Sequence, residues 1–178
     1  MIFQQISPWL LLLFIASHPL SAVALTVSDT FAVSADIVKG CAFGNDANAA
    51  QTDMGAIDFG TQSASATNVD ATSTVGGGSI VVTCTPGVAI SIELDYGLHG
   101  GSSARRYVMN TAGSVSLPYQ LYRDSARTQV WGTGDLAMSI ASFPTTTQTY
   151  TVYARYFGAS PLPPAGVYTD SVTVSLTY

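Results

Sequence analysis

Ala89-Ile90-Ser91-Ile92-Glu93-Leu94-Asp95-Tyr96 sets apolar side chains at 90, 92 and 94 against polar ones at 91, 93 and 95. A period of two is the pattern of a strand with one face in a core and the other in water. Ser79-Ile80-Val81-Val82-Thr83-Cys84 precedes it, and Thr149-Tyr150-Thr151-Val152-Tyr153-Ala154-Arg155-Tyr156-Phe157 lies downstream; both are β-branched or aromatic and bounded by turn residues. Further strands are expected over 54–59, 104–109, 117–123, 128–131 and 167–178. Residues 60–79 are rich in Ser, Ala, Thr and Gly and read as a long, mobile connection. Short strands without helical periods between them predict an all-β, antiparallel sandwich in one domain.

Ahead of this domain, an apolar run around Leu10 to Ile15 ends at Ala22-Val23-Ala24, an A-x-A cleavage pattern. The run is too short for a stop-transfer helix, so residues 1–24 are expected to be a secretory signal peptide, with no direct membrane insertion after its cleavage. The n-region carries no Lys or Arg. Removing 24 of 178 residues leaves 154, enough to bury a core. The formal net charge is −5, and Lys39 is the single lysine. Such a chain offers no basic stripe for nucleic acid or anionic membrane. Cys41 and Cys84 are an even pair in a chain bound for an oxidising compartment, which predicts a disulfide.

From the cleavage site onward, Leu25, Val27, Phe31, Val33, Ala35 and Ile37 fall on alternate positions, with Asp29 the one interruption. Two readings fit this run. It is an ordinary first strand of its own sheet, or residues 25–36 are a detachable donor strand and the domain proper spans 37–178. An extended segment with alternate apolar anchors suits β-strand addition, in which the main chain supplies hydrogen bonds and alternate side chains fill pockets. At the other end Val172, Val174, Leu176 and Tyr178 alternate to the last residue. A sandwich lacking one strand would expose a groove that must be covered. A groove at one end and a free strand at the other generate a non-closing contact, hence a fibre.

The chain resembles the spore coat protein U domain family, whose members include pilins of archaic, Csu-type chaperone–usher pili. Val38-Lys39-Gly40-Cys41, Ile57-Asp58-Phe59-Gly60 and Ile80-Val81-Val82-Thr83-Cys84 carry the first part of the resemblance. Leu117-Pro118-Tyr119-Gln120-Leu121-Tyr122-Arg123-Asp124 with Val130-Trp131-Gly132, Tyr150-Thr151-Val152-Tyr153, and Gly166-Val167-Tyr168-Thr169-Asp170-Ser171-Val172-Thr173-Val174 carry the rest. The uncharged n-region and the Ser/Gly-rich loop depart from it. The resemblance implies an incomplete immunoglobulin-like antiparallel β-sandwich with an N-terminal donor-strand extension. It implies export through the periplasm to a cell-surface pilus, with roles in adhesion or biofilm. The implied partners are a periplasmic chaperone, an outer-membrane usher and neighbouring pilin subunits. Cys41 and Cys84 would be the family disulfide, and Val27, Phe31, Val33 and Ala35 the donor-strand anchors. Val172, Val174, Leu176 and Tyr178 would border the acceptor groove and meet the chaperone. One domain is too short for a two-domain tip adhesin, which places the subunit in the shaft or just beneath the tip. The alternative is a secreted spore-coat or stand-alone binding sandwich, which would pair its first strand internally.

The remaining motifs read as architecture. Tyr119, Leu121 and Trp131 are core or strand-pair residues, with one end of the Trp131 indole expected to stay wet. Asp124-Ser125-Ala126-Arg127 reads as a hairpin turn carrying a screened ion pair. Arg105-Arg106 could meet an acidic partner, but reads rather as an exposed strand edge kept soluble by charge. Leu98-His99-Gly100-Gly101-Ser102 resembles an esterase oxyanion loop, but the G-x-S-x-G elbow is missing, so no enzyme is expected. Asp46, Asp53 and Asp58 lack EF-hand spacing and decorate loops. No cofactor or metal is called for.

Overall fold

The computed structural model describes residues 25–44 and 54–178. The expected signal peptide, Asp46 and Asp53 lie outside the described residues. The chain divides into two units, Met1–Asp36 and Ile37–Tyr178. Of the first, residues 25–36 carry no helix or strand.

The second unit is built from antiparallel strands: β1 (Cys41–Phe43), β2 (Val69–Thr72), β3 (Ile80–Cys84), β4 (Ile90–Leu94), β5 (Arg106–Asn110), β6 (Ser116–Tyr122), β7 (Met138–Ile140), β8 (Gln148–Tyr150), β9 (Tyr153–Tyr156), β10 (Tyr168–Thr169) and β11 (Val174–Thr177). They form a five-stranded sheet, β10-β5-β6-β9-β2, and two three-stranded sheets, β1-β3-β8 and β11-β4-β7. This is the all-β antiparallel sandwich that the alternating pattern demands. The alternate residues Ile80 and Val82, Ile90, Ile92 and Leu94, and Tyr119 and Leu121 point into one core with Trp131, Phe143, Val152 and Ala154. A disulfide joins Cys41 to Cys84, which face each other across β1 and β3. Closing its 43-residue separation stabilises the fold by about 4 kcal/mol in the chain-entropy account.

Several expected strands are redistributed. The run 149–157 is two strands in different sheets, β8 on β3 and β9 between β6 and β2. The chain crosses between them at Val152, whose N–H donates to Ser73 Oγ and whose carbonyl accepts the Ser73 N–H. The run 167–178 splits likewise into β10 and β11. Residues 60–79 are not merely a connection, because they supply β2, which edges the five-stranded sheet. Asp70 of β2 receives Arg155 Nε and Nη2 at 2.7 and 2.9 Å. Residues 54–59 form no strand: Ile57 and Phe59 pack on the core, but the left-handed Gly55 turns the backbone out of a ladder. A Cβ on Gly55 would stand 2.0 Å from the Gly76 carbonyl oxygen, so only glycine fits. At 128–131 a single bridge, Tyr122 to Val130, replaces the expected strand. The Asp124 carboxylate there takes the N–H groups of Thr128 and Gln129.

The reading of Arg105-Arg106 as an exposed edge is wrong for Arg106. Its side chain is fully buried, at 0% exposure. Nε donates to the Asp95 carbonyl at 2.8 Å, and Nη2 to the carbonyls of Leu94 at 3.2 Å and Trp131 at 2.8 Å. Nη1 donates to Gln120 Oε1. The guanidinium also lies 5.2 Å from the centre of the Tyr96 ring. Burial lowers its pKa from the ordinary arginine value, against the pull of nearby Tyr119, Tyr96, Asp95 and Asp170. Trp131 is equally buried rather than wet at one end, and its indole N–H donates to the Ile92 carbonyl at 3.0 Å. The Asp124 turn forms as expected, yet Arg127 pairs with Asp70 at 3.1 Å, not with Asp124.

Arg106→Met should therefore destabilise the chain by about 3–5 kcal/mol, because the carbonyls of Leu94, Asp95 and Trp131 and the Gln120 side chain lose a donor at once. Urea unfolding measures it. A loss below about 1 kcal/mol would show that the acceptors find other donors.

Candidate functional site

The inward face of β4 is sealed while the same face of β11 is not. β11 pairs with β4 in the register Val174↔Leu94 and Leu176↔Ile92. Leu94 and Ile92 are buried, at 2% and 0% exposure, whereas Val174 and Leu176 opposite them stay half-exposed although both touch the core. The cause is topological: β11 ends its sheet, so among the described residues β4 is its only strand neighbour. Val172, ahead of β11, is half-buried in the same way. Tyr178 differs; it lies past the strand and is exposed. Cys41 and Phe43 of β1, which ends its own sheet, are also only partly buried against the core.

In the N-terminal unit the expected anchors present their side chains to solvent. Phe31 is 88% exposed, and Leu25, Val27 and Val33 are similarly open, as is Ala35. No strand incorporates any of them.

A polar clamp sets where the chain leaves β10 for β11. Asp170 stands at that crossing with its side chain 3% exposed. Its Oδ2 accepts the Tyr119 hydroxyl at 2.6 Å, and its Oδ1 accepts the Leu98 N–H at 2.9 Å. Gly97 makes room: a Cβ there would stand 2.0 Å from Asp170 Oδ2, and its φ of +77° is left-handed. Asp95 completes the clamp, accepting the N–H groups of Gly97 at 3.0 Å and Thr173 at 2.9 Å. The Thr173 carbonyl accepts the Asp95 N–H in return. Burial, and then the bond to Asp170, hold the Tyr119 hydroxyl well above its ordinary pKa of 10.0. His99 borders the group, its Nε2 3.7 Å from Asp170 Oδ1. Both oxygens of that carboxylate already accept a donor each, from Tyr119 and Leu98. Asp58 accepts the Gly60 N–H within its own turn. Among the described residues no group of three His, Cys, Asp or Glu side chains is placed to hold a metal ion. No helix there is long and apolar enough to cross a membrane.

The sequence reading missed Asp95, Asp170, Arg106 and Gln120 as structural centres. Asp170 had a signal, since it is the one charge in Gly166-Val167-Tyr168-Thr169-Asp170-Ser171-Val172. Asp95 and Gln120 had none, because each occupies the polar position of an alternating strand.

The Spore Coat Protein U domain matches residues 27–175. The chain belongs to the Spore Coat Protein U domain family. Among solved structures, it is similar in fold to the CsuC–CsuE chaperone–tip adhesion subunit pre-assembly complex from archaic chaperone–usher Csu pili of Acinetobacter baumannii. That match has a TM-score of 0.54 at 20% identity, covering 80% of this chain and 40% of that chain. A chaperone–tip adhesin complex of CFA/I fimbriae biogenesis aligns with a TM-score of 0.45 at 14% identity, over 68% of this chain and 38% of that one. This chain thus spans well under half the length of either solved chain. No curated protein matches it. Within this Spore Coat Protein U domain, the clamp joins Tyr119 of the Leu117–Asp124 stretch to Asp170 of the Gly166–Val174 stretch.

The clamp gives the domain an alkaline limit. A hydroxyl whose pKa is raised on folding contributes stability that is whole below the ordinary value of 10.0 and lost as pH rises beyond it. Above that point the unfolded chain gives up the proton and the folded chain does not. Tyr119→Phe should lower stability at neutral pH by about 1–3 kcal/mol, through the Asp170 Oδ2 left without its donor, and flatten the fall above pH 10. Chemical denaturation from pH 7 to 11 tests this; an unchanged alkaline slope would contradict it.

Proposed function

We propose that the chain is a structural, non-catalytic pilus subunit that polymerises by donor-strand exchange through the chaperone–usher route. What carries the reading is the contrast between sealed β4 and half-exposed β11 in matched register, the condition of a sheet that ends one strand early. Residues 25–36 of a neighbouring subunit would add along β11. Their main chain would complete its ladder, and Val27, Phe31, Val33 and Ala35 would cover the inward face left open at Val172, Val174 and Leu176. Tyr178 would lie at the end of this groove. Contact of one subunit's segment with the next subunit's groove is heterologous and does not close, so it propagates as a fibre.

The partners follow from the same physics. An apolar groove awaiting a strand is an aggregation hazard, which a periplasmic chaperone would cover until an outer-membrane usher exchanges it for the incoming segment. The assembled fibre would stand on the cell surface and serve adhesion or biofilm. Family membership and the similarity in fold to a chaperone–tip adhesion subunit complex support this assignment.

Deleting residues 25–35 should leave a subunit that binds its chaperone but extends no fibre. Burying Val27, Phe31 and Val33 would contribute about 1.5–3 kcal/mol each on an area basis, before ordering costs. Phe31→Asp should likewise block extension, since it drives an unpaired charge into an apolar groove. Appending residues 25–36 after Tyr178 through a flexible linker should yield a monomer with a raised melting temperature. Normal fibres from the deletion variant, or an appended strand that adds no stability, would point instead to a stand-alone secreted sandwich.

A further inference from the structure

Arg105 is treated by the fold quite unlike its neighbour Arg106. Among the described residues the side chains of Arg106, Arg123, Arg127 and Arg155 are each tied by hydrogen bonds or ion pairs. Arg105 has neither; its guanidinium lies 4.5 Å from the centre of the Phe157 ring and is otherwise open. The side chain is exposed, so its planar N–H fork is free to meet a carboxylate with two parallel bonds.

Arg105 lines a solvent-facing hollow of about 430 Å³ together with Thr67, Asn68 and Ser160. Its walls are held together closely. At Gly158, with φ of +85°, a Cβ would stand 2.6 Å from Thr67 Cγ2 and 2.9 Å from the Ala66 carbonyl oxygen, so the two walls meet through glycine. No acidic side chain lines the hollow. A protein of net charge −5 repels anions at long range, which makes an unpaired cation over an aromatic face a local exception.

We propose that this hollow is a binding site for a carboxylated sugar. Arg105 pairs with the carboxylate, while the hydroxyls of Thr67 and Ser160 and the amide of Asn68 meet the ring hydroxyls. Hydroxyl and amide groups both donate and accept, as a polyol requires. A sugar ring presents several such groups within one small hollow, whereas an acidic peptide offers one backbone donor and one acceptor per residue beside its carboxylates. The site lies in the domain of residues 37–178 and does not depend on whether the chain polymerises, so its test and that of donor-strand exchange can fail separately.

Calorimetric titration of the secreted chain with tri-galacturonate, its methyl ester and hexaglutamate decides the matter. Saturable binding of the acid is expected, weakening with salt, with the ester at least about 10-fold weaker. Arg105→Gln should lose binding by a similar factor without a change in melting temperature, since the side chain is exposed. Ser160→Ala, a weaker binder that keeps the charge, carries the test if Arg105→Gln disturbs the fold. Equal binding of acid and ester, unaltered binding in both variants, no saturable binding, or preference for hexaglutamate would each overturn the proposal.

Discussion

The guanidinium of Arg106 connects parts of the domain that no strand ladder joins. From β5, in the five-stranded sheet, it reaches the carbonyls of Leu94 and Asp95 at the end of β4 in another sheet, and that of Trp131 in the loop beyond β6. These carbonyls lie where β4 ends and the chain turns, so they cannot all be satisfied by regular pairing. A buried backbone acceptor without a donor costs about as much as a lost hydrogen bond. One forked cation supplies several at once, and Gln120 orients the fork from the adjacent strand. An apolar side chain of equal volume would fill the space and leave the carbonyls bare.

This centre lies beside the Asp95–Asp170 clamp, and the two share Asp95, whose carbonyl meets Arg106 while its carboxylate meets Gly97 and Thr173. The end of β4, the turn at 97–98 and the approach to β11 are therefore fixed as a unit. That rigidity bears on function. Under the donor-strand exchange proposed above, an edge strand awaiting a partner could not be held by a neighbour on its open side, so its position would be set from behind. Polar clamps suit the task because they specify a geometry, whereas the half-covered apolar side chains of β11 supply attraction without direction.

The open edge and the hollow at Arg105 call for opposite chemistry. The edge presents Val174 and Leu176 on a strand that ends its sheet, which would suit an extended apolar segment in the proposed exchange. The hollow presents a single cation among hydroxyls and an amide, which matches a small anionic polyol. Two adjacent arginines thus part company: one turns inward to hold the fold together, the other turns outward over Phe157.

Much of this was legible in the linear chain. Alternation at 80–84 and 90–94 determined the strands and the face each buries, because a period of two leaves no other consistent placement. The two cysteines, in a chain read as secreted, determined the bridge. The motif blocks around Leu117–Asp124 and Gly166–Val174 carried the family. Only the tertiary structure decided that 149–157 and 167–178 each divide between two sheets, since a crossing residue such as Val152 is as good a strand former as Thr151 and Tyr153 beside it. It alone showed that Val69-Asp70-Ala71-Thr72 is a strand, a segment whose β character comes from pairing with β9 rather than from its own side chains. The fates of Arg105 and Arg106 were also invisible, for alternation puts consecutive residues on opposite faces without saying which face holds acceptors for a buried charge. That depends on carbonyls contributed by residues 94, 95 and 131, which come together only when the sheets pack.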